Sequence, residues 1–315
     1  MTQKSQKIIT AVLISLAVFG GFEALIYIVN LNQINIFLWT AFAIWLYLWI
    51  KISLLYDLHF KNPGSLKRAK IRHESVSHWL LKSLRVVFSA FWDRIEHFRK
   101  WKMFVSWANY LLLPGIIYWS TVVMLYLNLG RDIFQQIFVL LSGTALVFAY
   151  WHIKEIYTSK EEKVSLDSFI ALSAIKIYTA LAAYGAAIGY AKYNCDFISP
   201  LWFSVIVFCI TFLLIYQALF QHKFTNTKNV FWTLLIALGQ GILAYAVYFY
   251  WGYEHLTASI FLAAFYNMFW GVFHHTLEGT LSRRVFWETV IVSLFIAVLA
   301  VSVTNFKAQI LPACF

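Results

Sequence analysis

Apolar runs of about 20 residues recur along this chain, each long enough to cross a bilayer as a helix. Nine are expected, at about 8–29, 34–56, 103–127, 132–153, 167–191, 200–221, 230–251, 256–275 and 286–305. The first follows a basic start, but it reaches full spanning length and no small-residue cleavage site follows, so it is expected to remain as a helix. The runs are too long for barrel strands, and only a helix satisfies its own backbone in lipid without closing a barrel. The expected fold is therefore all-α, a polytopic membrane helical bundle.

One long polar segment interrupts the series, at 57–102, and it changes period after the turn at Asn62-Pro63-Gly64. Leu80, Leu81, Leu84, Val87, Phe88, Phe91, Trp92, Ile95 and Phe98 share one helical face, opposite Lys82, Arg85, Asp93, Glu96 and Lys100. This pattern predicts a basic amphipathic helix lying in the headgroup plane, either as an anchor or as a lid over a lipid substrate. No internal repeat or Pro/Gly-rich linker is present, so 1–315 is expected to be a single integral membrane domain.

Composition agrees with the pattern: 61% of the 315 residues are hydrophobic and 12% charged, too few charges for a soluble domain of this size. Placing the N-terminus inside puts 20 of the 25 Lys and Arg in cytoplasmic segments and leaves only Arg131, Lys192 and Lys307 outside. The net charge of +11 thus reports topology and contact with anionic lipid rather than nucleic-acid binding. The expected location is a prokaryotic inner (cytoplasmic) membrane, crossed many times. Cys195 and Cys314 both fall outside and could pair, while Cys209 is mid-span.

Chemistry enters with the histidines. Eight of nine fall on the cytoplasmic side, and His59, His152, His222, His274 and His275 close spanning runs. Glu155 stands three residues after His152, and Glu278 stands four after His274 and three after His275. At those spacings helical side chains meet, and helix-borne His and carboxylate ligands build non-haem iron and di-iron sites. The expected ligands are His59, His152, His274 and His275, with Glu155 and Glu278 as ligands or as carboxylates orienting an imidazole. His222 has no carboxylate on its own face and carries the weakest signal. Interfacial packing is the alternative for any one of these imidazoles, and haem ligation is disfavoured by the adjacent carboxylates. Inside the spans, Glu23 and Lys176 lie within about 10 Å in depth. They read as a buried neutralising pair or as an ion path, the latter implying a transporter.

The stretches Trp151–Glu155 and Phe273–Glu278 resemble motifs of polytopic membrane oxygenases of the bacterial β-carotene dioxygenase type. The resemblance implies a metal-dependent oxidation, with iron as cofactor and membrane lipid or an apolar isoprenoid as substrate. A second resemblance is to membrane-bound O-acyltransferases. It is carried by Phe91-Trp92-Asp93-Arg94 before His97 and by Trp151-His152 farther on. That resemblance implies His152 as general base, with no metal required.

Overall fold

The computed structural model describes residues 3–60, 101–158, 166–193, 198–222, 224–251, 254–304 and 306, and nearly all of these are helical. Side chains are described for 12, 14–49, 111–152, 171–192, 198–222, 224–251, 254–304 and 306. Among the described residues there are nine helices and no strand. They are α1 (Gln3–Asn30), α2 (Ile34–Phe60), α3 (Trp101–Leu127), α4 (Asp132–Thr158), α5 (Leu166–Tyr193), α6 (Pro200–Gln221), α7 (Thr227–Tyr250), α8 (His255–Leu277) and α9 (Arg283–Val303). The last six are long and apolar enough to cross a membrane, while α1 to α3 contribute shorter apolar stretches, Ile14–Asn30, Ile34–Trp49 and Leu111–Leu127. The amphipathic helix expected over 80–98, and Cys195 and Cys314, lie outside the described residues.

The helix starts follow from local chemistry. Ser199 caps α6 by accepting from the Trp202 amide, and Pro200 occupies the first helical position, where no backbone donor is needed. Asn226 caps α7 by accepting from the Asn229 amide at 2.7 Å, and Ser282 caps α9 through the Val285 amide at 3.2 Å. Each cap satisfies one of the amides that a helix leaves without an internal partner.

Contacts divide the chain into two units, 46–111 and the remainder, 1–45 with 112–315. The second contains everything described below. Within it α5 packs against α4, α6 and α8, α8 packs against α5, α7 and α9, and α1 packs against α4. The central position of α5 shows in its burial: 61% of its spanning window is buried, against 17% for α9. Close approach needs small residues, as in membrane bundles generally. Gly185 of α5 faces Ser259 of α8, and Ser204 of α6 donates to the Gly241 carbonyl of α7 at 2.7 Å. Tyr118 of α3 stacks on Phe22 of α1 and Trp45 of α2, and its hydroxyl donates to the Ala41 carbonyl at 2.7 Å. Trp39, Ile133, Ile291 and Phe295 turn outward. So much apolar surface is unstable in water and natural against lipid tails.

Candidate functional site: a histidine and carboxylate cluster at two helix ends

The ends of α6 and α8 meet. His222 immediately follows α6, with its amide donating to the Ala218 carbonyl at 3.0 Å, and its ring lies 4.8 Å from that of His274 in α8. Glu278, the residue that closes α8, brings Oε1 to 3.2 Å from His274 Nε2 and 3.8 Å from His222 Nδ1. One donor atom from each of the three side chains lies within 4.8 Å of the other two. Among the described residues this is the one group of three or more His, Cys, Asp or Glu so placed.

The backbone that sets Glu278 is a helix-terminating motif. Gly279 adopts φ +68°, a left-handed conformation that costs a residue with a side chain about 1 kcal/mol or more. The reversal lets the Thr280 amide reach the His275 carbonyl at 2.9 Å and the Gly279 amide reach the Thr276 carbonyl at 3.3 Å. The same turn brings the Thr280 hydroxyl to 2.9 Å from His275 Nδ1. His275 is therefore held toward the loop, whereas His274 faces α6.

Aromatic rings close the apolar side of the cluster. Trp270, one turn before His274, lies 5.1 Å from the His274 ring and 6.5 Å from that of His222, and Phe224 stacks on His222 at 6.0 Å. His222 is one residue past its spanning segment. Burial first, then repulsion from the protonated forms of Lys176 and His274, holds its pKa down to about 3. It is thus neutral at physiological pH.

The remaining expected residues are not among these three. His152 stacks on Phe148 at 6.0 Å and is not part of the cluster. The side chains of His59 and Glu155 lie outside the described residues, and His59 belongs to the 46–111 unit. The Glu23–Lys176 pair does not form, because α1 packs on α4 and not on α5. Glu23 is exposed and accepts from Gln136 Nε2 at 3.2 Å, while Lys176 is buried and donates to Gln221 Oε1 at 2.5 Å. His222 had little signal in the sequence because its carboxylate comes from another helix. Its one clue was position, at the same predicted depth as His274.

Six spanning-length apolar helices, a lipid-compatible outer surface and a polar cluster at one end define a polytopic helical integral membrane protein. More narrowly, the chain belongs to a family described as protein of unknown function (DUF5656), whose model matches residues 56–303, a stretch that takes in the whole cluster. No curated protein and no solved structure matches the chain.

Proposed function

We propose that this protein is a metal-dependent membrane enzyme in which His222, His274 and Glu278 hold one divalent transition-metal ion. The observation that carries the reading is the convergence of those three donor atoms within 4.8 Å. Donors sharing a metal at about 2.0–2.2 Å each stand about 3–4 Å apart, so small side-chain movements suffice. Two neutral imidazoles and one carboxylate are the ligand set of non-haem iron(II) oxygenases, and three protein ligands leave positions open for oxygen and substrate. Burial of His222 supports the reading, because an unprotonated imidazole needs no proton removed before it binds metal.

Position supports the substrate class. The cluster sits where two spanning helices end, beside Trp270 and Phe224, within reach of a lipid or isoprenoid entering from the bilayer. Oxidation of such a substrate with iron as the metal, at the cytoplasmic face of a prokaryotic inner membrane, is the activity we infer. The resemblance of Phe273–Glu278 to the membrane oxygenases points the same way.

Metal analysis of detergent-purified protein, expressed with iron, zinc and manganese supplied, tests the centre. The expected result is about one transition-metal ion per chain, lost in both His222→Ala and His274→Ala. A folded wild type without metal, or variants that keep their metal, would overturn it.

A further inference from the structure

Beside the cluster lies a second group of polar side chains that the metal reading leaves unused. Lys176, on α5, is 1% exposed. An ammonium group has three protons to donate. Among the described residues Nζ has one hydrogen-bond acceptor, Gln221 Oε1, and no carboxylate within ion-pair distance. The Trp270 ring centroid lies 6.0 Å from Nζ and offers only a weak cation–π contact. Gln221 is also buried, and with Oε1 committed to Lys176 its Nε2 has no acceptor among the described residues. Buried amide and ammonium protons are normally satisfied, so an unpartnered Gln221 Nε2 beside a Lys176 ammonium with a single acceptor marks a missing acceptor.

Resting on the metal reading, we propose that Lys176 and Gln221 form the anion-binding half of the same site, taking the oxyanion head of the substrate, a carboxylate or a phosphate. Chain connectivity ties the two halves together. Gln221 directly precedes His222, and Trp270 lies one turn before His274, so the donors stand about a helical turn from the ligands. Charge balance argues for the same occupant. A divalent ion brings two positive charges and a protonated Lys176 adds a third, whereas Glu278 is the single carboxylate in the cluster. An anionic ligand reaching from Lys176 toward the open coordination positions reduces that excess in a site of low dielectric. The substrate is thereby narrowed from any apolar molecule to an amphiphile whose charged end is bound next to the metal.

The test uses full-length protein in a neutral detergent, with thermal unfolding followed against added octadecenoate, its methyl ester and inorganic phosphate. Wild type is expected to be stabilised by octadecenoate and not by the ester. Lys176→Met and Gln221→Leu should weaken the apparent affinity about tenfold to a hundredfold, the range of a lost charge-assisted hydrogen bond. Both variants should keep wild-type metal content. Stabilisation by phosphate that is likewise lost in Lys176→Met would support the oxyanion site and assign it to a free anion instead of a lipid head. Equal response to acid and ester, or undiminished octadecenoate binding in either variant, would overturn the proposal. A metal-free wild type with Lys176-dependent anion binding would sink the metal centre and leave this donor pair standing, so the two failures are distinguishable.

Discussion

Acidification should weaken this protein through His222 well before its carboxylates are protonated. In the unfolded chain the imidazole takes up a proton near its ordinary pKa of 6.5, but in the folded protein not until about 3. Between those values the unfolded state binds the extra proton, so stability falls as the pH falls. Well above pH 6.5 the two states are equally deprotonated and the contribution is whole. Each full pH unit below that removes up to about 1.4 kcal/mol, so about 2 kcal/mol should go between pH 6.5 and 4.5. Lys176 on α5 and His274 on α8 disfavour the charged form of His222, and the attraction of the Glu278 carboxylate, 3.8 Å from Nδ1 and without a hydrogen bond, does not outweigh burial. The assay is denaturant unfolding of metal-stripped protein in detergent at the two pH values, for wild type and His222→Gln. The glutamine variant has no group titrating there, so its loss of stability should be smaller than that of wild type by about 2 kcal/mol. Equal losses in the two proteins would refute the reasoning.

Two further substitutions separate the roles of neighbouring residues at the end of α8. His275→Ala should leave the metal content unchanged, because Nδ1 is engaged with the Thr280 hydroxyl and the ring lies outside the cluster; the loss of that contact should lower stability by about 0.5–1.5 kcal/mol in the same unfolding assay. Gly279→Ala should cost about 1 kcal/mol or more in thermal or denaturant unfolding, since φ +68° places Cβ against the following carbonyl. It should also weaken metal binding, because the turn it strains is the one that sets Glu278; unaltered metal affinity at reduced stability would detach the turn from the site.

Most of the architecture was legible along the chain. Apolar runs of spanning length mark the helices because lipid demands that each segment satisfy its own backbone, and the observed elements start and stop within a few residues of those runs. Gly279 and the capping residues Ser199, Asn226 and Ser282 are local signals as well. The i, i+4 spacing of His274 and Glu278 was also local, and a helix brings such a pair together wherever it lies.

What the sequence determined by itself was thus what is fixed within one helix: the extent of the helices, their ends, and a carboxylate beside one histidine. Tertiary packing decided the rest. Glu278 stood at helical spacing from both His274 and His275, and the turn at Gly279 left His275 with Thr280 while His274 faced α6. His222, with no carboxylate on its own helix, gained one from α8, 56 residues away in sequence, because both helices gather around α5. Lys176 lost its expected partner for the same kind of reason, since α1 packs on α4 and leaves Glu23 exposed. Periodicity gives the face and depth of a residue on its own helix, but a site between helices depends on which faces meet, and that is set by the packing of the whole bundle.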